Sequence, residues 1–277
     1  MTPVWTVVAP LCLAYAATFV WVWDSWMLPD SYYSHGPLVV LLAAWLAWAD
    51  RGRLREARGV PDGRAFWLLG PALLLHLGGA ALTIDSLSAA SLCLAIPGAV
   101  WLGWGRRCAR AALPLLLLPW FAVPMPLVVT GKIAFELKEV AVTAGLAIAD
   151  AVGAGVHRSG TEILVAGQSQ PLVVADACSG LRSLVALTTL GYCFAFFFGS
   201  QSGTRRLVVL ALAVPIAVAG NILRIAVICW AADQWGVEFA AGVGHDVVNA
   251  LVWVVALGLL IALDILLMRL RARGGGT

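Results

Sequence analysis

From Leu207 to Ala231 the chain reads LVVLALAVPIAVAGNILRIAVICWA, 25 residues with a single charge. Few structures suit a stretch this long and apolar. Lipid offers no water to satisfy backbone N–H and C=O groups, so only helices and closed barrels span it. The hydrocarbon layer is about 30 Å thick, which takes roughly 20 residues of helix or 9–11 of strand. Length therefore selects a helix. Comparable apolar runs occur at about 4–23, 37–49, 65–82, 84–104, 111–129, 181–199 and 247–268. The expectation is an all-α integral membrane protein with about eight transmembrane helices. The second run is short, and the fifth holds four prolines that predict a break or tilt. The first run lacks a basic start and continues through the AYA at 14–16, so it reads as an uncleaved helix rather than a signal peptide.

Composition agrees. The chain is 61% hydrophobic and 12% charged, against about 25% charge in soluble domains. A formal charge of +3 with no basic stripe excludes nucleic acid as a partner. No internal repeat or linker divides the 277 residues, so they read as one membrane domain.

The positions of the arginines set the orientation. Five lie in 50–64, three in 105–110, two follow the sixth run and three close the chain. With eight spans, those thirteen of the 18 basic residues share one side, the cytoplasm, together with both termini. The segment of about 130–178 then lies outside. Its first part, GKIAFELKEVAVTAGLAIADAVG, reads as a helix on or in the membrane with its charge in the first half. TEILVA and PLVVADA flank GQSQ and predict a small β-hairpin leading into Cys178.

Cys178 stands where this outer segment enters an apolar run. A helix start and a nearby cation both favour the thiolate; a structural thiol or a disulfide with Cys229 are the alternatives. Arg182, four residues on, shares its helical face and could pair with the thiolate or with lipid phosphate. Arg224 interrupts the run quoted first, with Asn221 one turn before it on the same face. An arginine in a span costs about 2.5–3.5 kcal/mol on insertion scales and usually faces a polar interior. Some 17 residues from Leu207, it falls about 25 Å up the helix, near the outer end. His245 opens the last run at the same face, with Asn249 at i+4 able to orient its ring. His35, in YYSHGP, is an equal candidate base on spacing alone, while His76 reads as structural. Three distant elements thus deliver a thiol, a guanidinium and an imidazole to one membrane face. Those are the parts of a cysteine acyl-transfer site.

Around these residues the chain resembles the exosortase/archaeosortase family of membrane cysteine transpeptidases. ACSGLRSL at 177–184, NILRI at 221–225, His245 before the last run and YSHGPLV at 33–39 carry the resemblance. It implies Cys178, Arg224 and His245 as the catalytic set. Arg182, Ser179, Asn221, Asn249 and His35 become supporting or substrate-binding residues. It also implies a bacterial inner-membrane protein with its site at the periplasmic face. The implied partners are membrane-anchored proteins with a C-terminal tail of the PEP-CTERM kind: a short motif, a membrane helix and a basic cluster. No cofactor and no metal is implied, and the bilayer is the other partner. A transporter, or a non-catalytic assembly protein for envelope or exopolysaccharide export, are the alternatives.

The arginine bias predicts that a cysteine replacing Gly59 is shielded from impermeant maleimides in intact cells and labelled after permeabilisation. Labelling in intact cells would reverse the orientation.

Overall fold

Helices follow the apolar runs, but not one helix per run. The computed structural model describes residues 5–160, 162–173, 179–198 and 202–274. These fall into two units, Met1–Val129 and Thr130–Thr277. The first holds α1 (Trp5–Ala14), α2 (Ala16–Met27), α3 (Gly36–Ala49), α4 (Arg51–Glu56), α5 (Phe66–Ala81) and α6 (Asp85–Leu117), which continues as a 3-10 turn to Ala122.

Among the described residues three helices are long and apolar enough to cross a membrane: Asp85–Ala122, Gly203–Trp235 and Val243–Leu270. The pair α1–α2, bent by 62°, makes a fourth if it is one broken span. The expected count of eight is therefore corrected. The fourth run and most of the fifth fall in one candidate span, Asp85–Ala122, two helical stretches joined at a kink at Gly105. The runs at 37–49, 65–82 and 181–199 give helices of 14, 16 and 16 residues. At 1.5 Å per residue these reach about 21–24 Å, short of a 30 Å layer.

Helix α6 turns on one residue. Gly105 has φ 80°, outside the helical region. The kink exposes the carbonyl of Trp104, which accepts a hydrogen bond from Gly59 N at 2.8 Å. Trp101 Nε1 donates to Asp62 at 2.9 Å, so the loop after α4 is strapped across the kink. A Cβ at position 105 would lie 2.8 Å from the Val60 carbonyl oxygen. Deeper in this unit Ser88 Oγ meets both Thr18 Oγ1 and His76 Nδ1 at 2.7 Å, and Tyr15 Oη meets Ser91 Oγ at 2.7 Å. Buried hydroxyls are costly unless bonded, and these bond to one another across α2, α5 and α6. His76 is part of that lock.

The second unit starts within α7 (Leu127–Ala151), a 25-residue helix outside the set long and apolar enough to span. A three-stranded antiparallel sheet follows: β1 (Val156–Ser159), β2 (Glu162–Val165) and β3 (Leu172–Val173), in that order. The expected hairpin is β2–β3, with Ile163 opposite Leu172; residues 174–177 of its second arm lie outside the described residues. Strand β1 is an addition. VHRS lacks an apolar alternation that would announce it. Arg158 on β1 fastens the sheet to α7 through a two-pronged bond to Glu139, at 2.9 and 2.6 Å. That bond holds the Glu139 carboxyl below the usual carboxylate range.

Helices α8 (Leu181–Phe196), α9 (Gly203–Trp235), α10 (Val237–Ala241) and α11 (Val243–Gly274) complete the unit. Helix α9 is its axis. Val156, Ile163 and Leu172 of the sheet share a core with Ile225, Ile228 and Cys229 of α9. Lower on the same helix, Val209 and Ala213 pack with Leu187 of α8 and Leu260 of α11. There Arg205 is not a solvated loop charge, as its place after an apolar run suggested. It is buried and ion-paired with Asp264 of α11, their side chains 3% and 7% exposed. Its Nη2 also donates to the carbonyls of Phe194 and Phe198, at 3.1 and 2.7 Å. The C-terminal carbonyls of a helix lack intrahelical partners and carry partial negative charge, so a cation suits them.

Removing one member of a buried pair leaves an uncompensated charge, a loss of about 3–5 kcal/mol. Asp264→Ala is therefore expected to lower unfolding stability in detergent by that amount. The double variant Arg205→Met/Asp264→Leu should lose less. A single-variant loss under about 1 kcal/mol would mean the pair holds nothing.

Candidate active site

The site begins at a glycine. Gly180 has φ 81° and ψ −3°, the left-handed region, and caps the start of α8. A side chain there would be strained, because Cβ crowds the backbone when φ is positive. It would also collide: an ideal Cβ lies 2.4 Å from Asn221 Nδ2 and 2.5 Å from its Cγ. Only glycine lets α9 approach this closely. The approach allows Asn221 Nδ2 to donate to the Ser179 carbonyl at 3.1 Å.

Asn221 passes the connection on. Its Oδ1 accepts from Arg224 Nη2 at 2.6 Å, and Arg224 Nη1 donates to Asn249 Oδ1 of α11 at 3.1 Å. Asn221 and Arg224 are each 5% exposed. A guanidinium offers a rigid planar fork of donors, and two asparagine oxygens orient it. The Ser179 carbonyl, Asn221, Arg224 and Asn249 thus form one hydrogen-bonded chain across α8, α9 and α11. A recess of about 310 Å³, part of it open to solvent, adjoins the chain; Ser183, Asn221, Arg224 and Asn249 line its polar side.

The other expected residues fall as follows. Cys178 lies outside the described residues; Ser179, bonded to it, is 1% exposed. Arg182 is half-buried in the first turn of α8. His245 is in the first turn of α11, its side chain 30% exposed and Nδ1 3.5 Å from the exposed Asp246 carboxylate. Asn249, able by its spacing to orient His245, gives its oxygen to Arg224. Because it is one turn from His245, it ties the histidine's helix to the arginine's. Cys229 is a free thiol with no exposure, which removes it as a disulfide partner. His35 belongs to the first unit. Its Nε2 lies 3.1 Å from the Phe121 carbonyl and its ring stacks on Tyr33 at 6.3 Å between centroids. Burial lowers its pKa below the ordinary value, against a smaller opposite effect of that hydrogen bond. A sequence model for transmembrane exosortases matches residues 10–262, through both units.

The chain belongs to the transmembrane exosortase family. No curated protein and no solved structure matched it. Exosortases are cysteine-type peptidases or transpeptidases, so membership makes this a membrane protein of sorting and processing. The residues singled out for catalysis fall inside the matched region, as do two that the sequence reading passed over. Gly180 could have been found, since a glycine directly before an apolar helical run signals a helix end with positive φ. Ser183 carried no such signal.

Gly180→Ala is expected to push Asn221 off the Ser179 carbonyl and release Arg224. The variant should fold with a stability loss of about 1–3 kcal/mol, the usual range for backbone strain of this kind. Melting in detergent checks it. An unchanged melting temperature would mean the close approach is not maintained in solution.

Proposed function

We propose that this exosortase is a membrane-embedded cysteine peptidase or transpeptidase. It cleaves C-terminal sorting tails of exported proteins at the outer face of the bacterial inner membrane. The supporting observation is the Asn221–Arg224–Asn249 network beside Ser179. Two neutral amides orient a guanidinium next to the residue that follows the candidate nucleophile. A group arranged in advance, and largely shielded from water, stabilises developing charge far better than one in solution.

In the proposed reaction the Cys178 thiolate attacks the scissile carbonyl carbon. Charge moves to the carbonyl oxygen, where Arg224 donates a hydrogen bond. The tetrahedral intermediate collapses, the C–N bond breaks, and His245, carrying the thiol proton, protonates the leaving amine. The N-terminal product remains on Cys178 as a thioester. Water or an acceptor amine, deprotonated by His245, then attacks the thioester and restores the thiol. A tail helix held by cytoplasmic positive charges would present its motif at the level of this site. Arg182, three residues beyond Ser179, binds the motif.

Transport has one observation in its favour, the polar cluster of Tyr15, Thr18, His76, Ser88 and Ser91. Its members satisfy one another, as a structural lock requires, so catalysis is the reading we adopt.

Single-turnover cleavage of a tail-bearing substrate in membranes tests the assignment. Cys178→Ala should abolish cleavage. Arg224→Lys keeps the charge but loses the fork, and should slow turnover about 10²–10³-fold, the usual loss for one oxyanion donor. His245→Ala should flatten the pH dependence of acylation, whereas His35→Ala should leave it intact. The opposite result for the two histidines would transfer the base role to His35. Normal cleavage by Cys178→Ala would favour the assembly-protein reading.

A further inference from the structure

The recess beside Arg224 has a floor as well as a mouth. Leu187, Ala217, Val252, Trp253 and Ala256 line it beyond the polar residues. On every helix the apolar lining lies on the same side of the polar chain. Leu187 follows Ser183 on α8, Ala217 precedes Arg224 on α9, and Ala256 follows Asn249 on α11. Ala217 and Ala256 are each two turns from the polar residue on their helix, about 10 Å at the usual rise. The recess therefore runs along the helix axes, polar at one end and apolar at the other. It points from the network into the depth of the helices and away from the start of α8.

Small residues set its width. Gly220 and Ala217 form the α9 wall. A Cβ on Gly220 would come within 3.2 Å of Val252 Cγ1, so α9 and α11 close on each other there without a side chain between them. The recess is narrow between these walls and open to solvent at its mouth, so it offers room for part of one side chain and none for a helix.

We propose that this recess binds the apolar side chain of the first substrate residue on the membrane side of the cleaved bond. The inference rests on the function proposed above and names the substrate element that site selects. The direction of the recess carries it. A tail runs from its motif at the outer face into the bilayer, so the residue that enters the lipid first follows the scissile bond. The recess leads the same way from the group that would hold the scissile carbonyl. Its mouth can hydrogen-bond a peptide through Ser183, Asn221 and Asn249, and its floor suits leucine or a similar side chain. Ala217 and Trp253 then decide how large that side chain can be.

The probe is a synthetic tail peptide with an extended Pro-Glu-Pro motif, an apolar helix of about 20 residues and a terminal arginine cluster. It carries photo-leucine at the first residue after the cleaved bond and is added to the Cys178→Ala protein in bilayers. Cross-links are expected on Val252, Trp253 or the α9 segment at 217–220. In parallel, Ala217→Leu in the otherwise native protein should shift preference from leucine to glycine at that residue. A pocket differing by a few methylenes discriminates about 10–200-fold, and the ratio of kcat/KM for the two peptides reads the shift. Cleavage by the native protein with cross-links elsewhere overturns the recess assignment alone. Cross-links in the recess without cleavage by the native protein overturn the peptidase reading and keep the recess as a tail-binding site. Absence of both overturns both. A photoactivatable phospholipid that labels Trp253 and is not displaced by the peptide makes the recess a lipid site, which also overturns it.

Discussion

A guanidinium inside an apolar helix is expensive wherever it is not compensated, and the second unit is arranged around that requirement. Arg224 is buried within a span that is otherwise mostly apolar. Fixed dipoles must therefore replace water around it. Asn221 supplies one from its own helix and Asn249 one from α11. Asn221 also donates to the Ser179 carbonyl, and that bond requires the bare backbone of Gly180. The start of α8, the middle of α9 and the start of α11 are thus set by the solvation of one side chain.

The other end of α9 answers the same problem differently. Arg205 is as buried as Arg224, but a carboxylate, Asp264, neutralises it. The carbonyls of Phe194, in the last turn of α8, and Phe198, just beyond it, also accept from it. A neutral pair in low dielectric gives an inert joint. For Arg224, Asn221 and Asn249 supply neutral amides that orient the group. Two arginines about 28 Å apart on one helix are thereby held by different chemistry, one by a carboxylate in a joint of three helices and one by amides beside the proposed site.

Much of this was legible in the sequence. An arginine and an asparagine three residues apart in an apolar run have no solvation role, and that singled out Arg224 and Asn221. The helix-start position of His245 followed from where the last apolar run begins; Cys178, placed at a helix start in the same way, lies outside the described residues. Other features were hidden for identifiable reasons. The bond from Arg224 to the Asn249 oxygen was hidden because spacing along one helix shows only partners on that helix, and this one comes from α9. The span count was too high because apolar runs mark helices without fixing their length: three of them give helices of 14–16 residues, and two more share one candidate span bent at Gly105. Strand β1 was missed because its pairing, with Arg158 opposite Ile163, comes from β2 and from the bond to Glu139 rather than from its own residues.

The central claim is that acyl transfer passes through Cys178. The most direct measurement is intact-mass and peptide-mass analysis of the native protein, acid-quenched within the first turnover of a tail-bearing substrate. The account predicts a transient adduct on Cys178 with the mass of the substrate's N-terminal fragment, released by neutral hydroxylamine as a thioester is. Cleavage product in the same quenched samples, with Cys178 unmodified at every time point, would contradict it.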